Sequence, residues 1–330
     1  MRKWKNNKYS VKQGKASRIK ILIKIIHLHH SNNTFSIFMR RNTNVIQNAM
    51  TERLINYFEK QQLLFTEYYN ESRKDYTVIS VHEMRLCMKR LRALFLFFEA
   101  LEPDVISTKV MLSNFRKLFK LAGHIRDIQI QKKLALHLEK EMDASYSEYI
   151  HYLNKNEKKA IKAFEKKMLG YEPERDFAML RNIISETIST YPSENISLRG
   201  QTIILDKFNL VKKMTRGKLN TAQLHSVRTK LKQIAYLLKI WKGHDNVTQI
   251  IPVERVHLQF VEIKLGQWHD YVVAQSYINN FIASFPDDQQ VPVHYALLQF
   301  TIMNYRKSLA SDVKPQLKAL FEQEHKNNKI

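Results

Sequence analysis

The chain is poor in the residues that punctuate β structure. Seven glycines and seven prolines are spread over 330 residues, whereas a many-stranded sandwich or barrel needs a turn residue every ~8–12 positions. An all-β fold is therefore disfavoured. No two glycines stand close enough for the clustered loop of a dinucleotide fold or a P-loop. A single cysteine, Cys87, leaves no intramolecular disulfide and no Cys-based metal site, which suits a reducing, cytoplasmic compartment. The longest apolar run, Ala93–Phe98, is far short of the roughly 20 residues of a membrane span. The apolar stretch Ile21–Ile26 is broken by Lys24, and no small-residue cleavage site follows, so no secretory signal and no membrane role are expected.

Acid is scarce as well. Residues 1–50 hold 11 of the 54 Lys and Arg and none of the 31 Asp and Glu; the first acid is Glu52. The remainder still carries a net +12 of the total +23. A body that is basic in its own right points to a polyanionic partner: nucleic acid, an anionic membrane or a phosphate polymer. Hydrophobic residues at 44% provide for a sizeable core.

Residues 1–49 are basic, Asn-rich and weakly periodic, and read as a disordered arm or as sequence upstream of the true start, with Met39 or Met50 as candidate starts. From Met50 onward the helical period takes over, beginning with Leu54, Ile55, Phe58, Leu63 and Leu64. Further helices are expected near 80–101 (with Ser80 as N-cap), 105–121, 127 onward, 144–169 and 175–190. The Tyr191-Pro192-Ser193 stretch opens a linker, about 191–205. Helices then resume near 206–216, 222–242, 250–264, 269–284, 290–309 and 312–325. Breaks are expected at Gly123, between 264 and 269, and between 309 and 312.

An internal repeat organises this pattern. His82, Arg85, Lys89, Gly123 and Asp127 recur 143 residues later as His225, Arg228, Lys232, Gly266 and Asp270, without a gap. The chain reads as two helical halves, about 50–190 and 206–325, within one region from 50 to 325. On a helical wheel with His82 at zero, Arg85, Lys89 and Arg92 fall at about −60°, −20° and −80°. Met84, Met88, Leu91, Phe95 and Phe98 lie nearly opposite and face a core. In the second half His225, Arg228, Lys232 and Lys239 share the cationic stripe, and Val227, Leu231, Ile234, Leu238 and Trp241 lie opposite. A solvated face mixes signs to gain i,i+4 pairs; the stripe from His82 to Arg92 has no acid. Repeated like charge of this kind points to an anion seated on both stripes. Cys87, at the edge of the apolar face, reads as a core thiol.

The remaining titratable residues suggest little catalysis. His244-Asp245 and His269-Asp270 hint at a metal phosphohydrolase, but the further ligands such a site needs are missing from the pattern, and Arg126 stands where His269 would have its counterpart. Arg126 is instead a further candidate for anion binding. Asp127 and Asp270 read as helix caps or as partners that orient the cations. No metal, cofactor or catalytic residue is expected.

The paired segments Val81–Leu94 and Leu224–Leu237, followed by Leu121–Ile128 and Leu265–Asp270, resemble the signatures of the CHAD domain, the conserved-histidine α-helical domain. The resemblance implies an all-α fold of two four-helix bundles related by an internal pseudo-two-fold axis. It implies a basic central channel that binds inorganic polyphosphate without catalysis. Its ligand-facing residues would be His82, Arg85, Lys89, Arg90 and Arg92 in the first half, and His225, Arg228, Lys230 and Lys232 in the second. Family members usually carry Arg where Ala235 stands and a basic residue where Gln233 stands, so the second half should contribute fewer contacts. Relatives often carry a triphosphate-cleaving domain on the same chain. None is legible here, so a polyphosphate-metabolising enzyme would act in trans, in the cytoplasm or on polyphosphate granules. A nucleic-acid-binding helical protein is the alternative reading. Binders of single strands interleave aromatics with cations, and the stripes contain none.

Overall fold

A computed structural model describes residues 49–322 apart from 218, 242–249, 252 and 254. The arm expected over residues 1–49 falls, except for Ala49, outside them, as does His244-Asp245. The described residues form ten α-helices and, among them, no strand: α1 (Ala49–Lys74), α2 (Val78–Leu101), α3 (Thr108–Met111), α4 (Ser113–Met142), α5 (Ser147–Met168), α6 (Pro173–Ser189), α7 (Ser193–Thr215), α8 (Thr221–Ile240), α9 (Arg255–Ile282) and α10 (Val293–Glu322). The all-α class is as the sequence predicts. No helix among them is long and apolar enough to cross a membrane.

Local chemistry sets several of the ends. Thr77, not Ser80, caps α2, accepting from the Ser80 N–H at 2.9 Å. Asn220 and Gln223 form a reciprocal capping box at the start of α8, with bonds of 2.9 and 2.8 Å. Asp143 closes α4 in the left-handed region (φ 47), and Pro173 opens α6 at a position where its missing N–H costs nothing.

Four expected breaks are absent. Helix α4 runs through Gly123, and α9 through Gly266. Helix α7 begins at Ser193, so most of the linker expected over 191–205 is helical. Helix α10 continues through 309–312, the site of an expected break, and on through Pro315. A proline inside a helix costs roughly 3 kcal/mol; Pro315 is exposed, while Val313, Leu317, Leu320 and Phe321 beside and beyond it are buried, and Phe321 packs on Phe208 of α7 at 4.8 Å between ring centroids. Tertiary burial outweighs the local signal in each case.

The apolar faces pair the helices. Helix α1 packs on α2, α4 on α5, α7 on α8, and α9 on α10; α2 then lies beside α4, and α8 beside α9. Contacts between α2 and α8, and between α4 and α9, join the two sets, leaving α2, α4, α9 and α8 as the central four. Every residue expected on the apolar faces of α2 and α8 is buried, and Cys87 is a buried free thiol whose ionisation burial pushes up to about 12. On α1 the buried line is Leu54, Phe58, Phe65 and Tyr69, while Leu63 is 70% exposed.

Aromatic residues fill the interior. Phe58, Phe65, Phe115 and Phe177 make edge-on contacts at 5.0–6.0 Å that tie α1, α4 and α6 together. Phe281 joins Tyr149 of α5 to Tyr295 of α10. Trp241, just past α8, stands edge-on to Phe97 of α2 at 5.2 Å. Its ring covers Gly200 of α7 so closely that a Cβ there would meet it at 1.9 Å. The described residues belong to one compact unit.

Candidate anion-binding site

The cationic stripes of α2 and α8 face the central four helices, and the register can be followed turn by turn. In the first half the Arg85 guanidinium lies against Gly123 of α4, where an added Cβ would be 2.4 Å from Nη1. Arg85 Nη1 donates to the Phe119 carbonyl at 2.6 Å, and the guanidinium sits over the Phe119 ring at 4.4 Å. In the second half the His225 and His269 rings are 5.2 Å apart. One turn along α8 and one turn back along α9 sets Arg228 opposite Gly266; the next sets Lys232 opposite Glu262. At the same 143-residue offset the first half matches these with His82 and Arg126, and with Arg85 and Gly123, where Arg85 also engages the Phe119 carbonyl and ring. The two halves thus present matching steps of a file, unequal in content.

Helices α4 and α9 close the site from the other side. Gln131 Nε2 donates to the Asp270 carbonyl at 3.4 Å, and the Tyr277 hydroxyl pairs with His124 Nδ1 at 3.2 Å. Asp127 and Asp270 therefore lie in mid-helix, which removes their reading as caps; what remains is their place among the cations. Burial raises the pKa of Asp127 and so disfavours its ionised form, opposed by Arg85, His124, Lys89 and Arg228. Burial raises Asp270 too, opposed by Arg228 and by Arg126 from the first half.

The charges are coupled across the halves. Lys89 is driven down to about 7, first by burial and then by Arg85, Lys232 and Arg228. Lys232 is lowered by burial and by Arg228, and partly held up by Glu262 and Asp270. Burial lowers Arg85, Arg126 and Arg228. Burial and Arg228 bring His269 down to about 3. His82 is lowered by burial and Arg126, and His225 by burial and Arg228. Among the described residues, Arg126 Nε and Arg228 Nε are buried with no hydrogen-bond partner. Five cations thus face three carboxylates, Asp127, Asp270 and Glu262, in a partly desolvated space. An uncompensated buried charge costs several kcal/mol, and an anion that brings its own oxygens offsets that cost.

The structure brings Arg85, Lys89, Arg126, Arg228 and Lys232 together with Asp127 and Asp270. His82 and His225 stand at the exposed edge, His82 beside Glu83 at 3.8 Å. Arg92 and Lys239 lie farther along their stripes, both exposed. Two residues point elsewhere. Arg90 Nη1 donates to Gln61 of α1 at 3.3 Å, and Lys230 lies by Lys207 of α7. Both sit off the stripe, so their helices aim them at flanking partners. Four neighbours escaped the sequence reading: Phe119, Lys207, Glu262 and His269 in its role beside His225. For Glu262 and Phe119 the signal was present, since both fall one turn before the repeated glycines.

Among the described residues no group of three or more His, Cys, Asp or Glu is placed to hold a metal ion. No curated protein matches the chain in sequence. Two solved structures share its fold. The CHAD domain from the plant Ricinus communis superposes with a TM-score of 0.61 at 16% identity, over 87% of this chain and 95% of that one. PptA from Streptomyces chartreusis superposes with a TM-score of 0.57 at 13% identity, over 82% of this chain and 99% of that one. The profile of the CHAD domain matches residues 65–279. That span takes in both cationic helices and both glycine-bearing helices that face them, and the chain belongs to the CHAD domain family.

Proposed function

We propose that the protein binds inorganic polyphosphate along the file of cations between its two halves, and that it does so without cleaving it. The observation that carries this reading is the desolvated cluster of Arg85, Lys89, Arg126, Arg228 and Lys232, in which burial disfavours the charged form of all five and Lys89 is lowered further by Arg85, Lys232 and Arg228. Polyphosphate carries about one charge per phosphate and no bases, so it fits a receptor made of forked guanidinium and ammonium donors. The family resemblance points the same way. We read the repeated steps as the trace of an internal duplication, with halves at about 50–190 and 206–325 forming two four-helix bundles around a pseudo-two-fold axis. The protein then acts as a cytoplasmic binding module, and an enzyme that makes or consumes the polymer works in trans.

The non-catalytic part of the reading rests on charge. Phosphoanhydride cleavage normally uses a divalent metal to neutralise developing charge and place water, and the paired stripes are cationic. The test is a titration with long-chain polyphosphate at matched salt, with single-stranded RNA in parallel. Tight binding of polyphosphate and weak binding of RNA is the expected result; the reverse establishes a nucleic-acid module. Incubation with Mg²⁺ or Mn²⁺ should leave the polymer length unchanged on a gel. Shortening lost in His82→Ala or Asp270→Ala would make the protein an enzyme.

A further inference from the structure

The chain changes character where α9 turns back into α10. Between Lys264 and Arg306 there is no Lys or Arg, although 54 of the 330 residues are one or the other. The turn that joins the two helices carries Asp287 and Asp288, both exposed. The elements packed against it are acidic too. The Tyr305 hydroxyl donates to Glu141 of α4. The Tyr146 ring lies 6.3 Å from His294 and 6.2 Å from Tyr295, and Tyr149 of α5 meets Phe281 at 5.2 Å. Around those contacts, residues 134–154 hold Glu139, Glu141, Asp143 and Glu148 against one Lys, Lys140, with His137 and His151 beside them. In a chain of net charge +23, this end is negative.

The outward side of α10 is apolar here. Val293, Leu297 and Phe300 follow at i, i+4 and i+7, within about 60° of one another around the helix, and are 76, 51 and 56% exposed. Ala296 beside them is exposed as well. Tyr295, Leu298 and Ile302 already give α10 a buried side, so the stripe is a second apolar face. A solvated helix face carries charge; the centre of an interface is depleted of charge and enriched in aromatics. The area sets the scale of what fits. The three residues leave on the order of 300 Å² open, short of the ~800 Å² per partner of a stable dimer but within the range of a functional patch on a monomer. A narrow line at i, i+4 and i+7 matches one helix laid along it.

We infer that this stripe docks a basic amphipathic helix of a partner protein, whose apolar residues meet Val293, Leu297 and Phe300 and whose flanks carry Lys and Arg toward the acids of this end. The sign of the charge chooses the occupant. Acids rim the stripe, so a basic helix is steered to it, whereas an acidic helix or an anionic lipid surface is repelled. The same sign turns a polyanion away, so a polymer held by the cations elsewhere on the chain leaves the stripe free.

The test titrates the full-length protein into a fluorescent Leu/Lys peptide about five helical turns long, with leucines at i, i+4 and i+7, and reads anisotropy. A scrambled peptide of the same composition has no apolar face and is the control. The amphipathic peptide should bind wild type, and the scrambled one about tenfold more weakly. Leu297→Ser and Phe300→Ser, both at exposed positions, should each weaken the amphipathic peptide about tenfold. Asp287→Lys combined with Asp288→Lys should weaken it several-fold at low salt and less at high salt. A thermal melt checks that each variant folds. Equal binding of the scrambled peptide overturns the inference, as does unchanged binding by the two serine variants. So does a concentration-dependent dimer in light scattering that Phe300→Ser abolishes, which makes a second copy the occupant. Binding to phosphatidylcholine vesicles that the same variant abolishes overturns it as well, in favour of a lipid surface.

Discussion

The Arg85 guanidinium occupies the space that a side chain at residue 123 would need. Gly123 is thus a socket for Arg85, and an added Cβ would stand 2.4 Å from Nη1. Gly266, its counterpart, has open space within 4 Å. Alanine at a helical glycine is worth up to about 1 kcal/mol. Gly266→Ala should therefore raise the melting temperature by a few degrees. Gly123→Ala should gain little or nothing, because it dislodges Arg85 from the Phe119 carbonyl, and it should weaken polyphosphate binding. Paired thermal melts and titrations measure both effects.

Lys89 links binding to protons. Its folded value of about 7 lies below the ordinary 10.5, so between those values the unfolded chain holds the extra proton. Stability contributed by this group then rises as pH increases from 7 towards 10.5, and the full penalty of the charged lysine is present below pH 7. An anion restores the charge, so polyphosphate binding should take up protons above pH 7 and weaken as pH climbs. Calorimetry in two buffers of different ionisation enthalpy reads the uptake. Lys89→Arg should reduce it while preserving binding, and Lys89→Met should stabilise the free protein by about 2 kcal/mol at pH 6.

The outer step is also unequal. Arg92 and Arg116 of the first half are matched, at the 143-residue offset, by Ala235 and Gln259 in the second. Arg92→Ala should weaken polyphosphate binding several-fold with helicity intact, and Ala235→Arg should tighten it. Circular dichroism and titration at fixed salt decide this. Wild-type affinity in Arg92→Ala would make that end of the stripe a plain solvated surface.

Salt should act steeply. If six to ten phosphates are neutralised, counterion release of the kind seen with DNA gives a loss of about 10³–10⁵ in affinity between 50 and 200 mM salt. A log–log plot of affinity against salt measures the slope. A flat line would contradict an electrostatic site.

Much of this was legible in the sequence because helical period and charge pattern are local. The stripe from His82 to Arg92 and the buried faces opposite it follow from spacing alone, and the structure buries Met84, Leu91, Phe95, Val227 and Leu231 as expected. What local pattern does not carry is continuity through a weak point. Gly123 signals a break by propensity, yet the helix continues because Arg85 and the flanking buried residues need it there. For the same reason Asp127 and Asp270, taken for caps, lie inside helices. Arg90 enters as a ligand by the family resemblance, while its angle on the wheel, about +80° from His82, sets it off the stripe; its guanidinium donates to Gln61 of α1. Glu262 was missed because its meaning depends on which helix faces which, a tertiary fact.

The position of Trp241 has a consequence for synthesis. Phe97 of α2 and Gly200 of α7 are both completed by that one indole, which emerges from the ribosome long after the first cationic helix. Until it arrives, the nascent first half carries an open apolar notch beside Phe97 and a cation file with only one wall. The segments that carry the two cationic stripes should therefore not mature in turn as separate folding units. A chain cut between them should leave fragments that gain structure only on recombination, and loss of either segment should forfeit the fold and the cation file together.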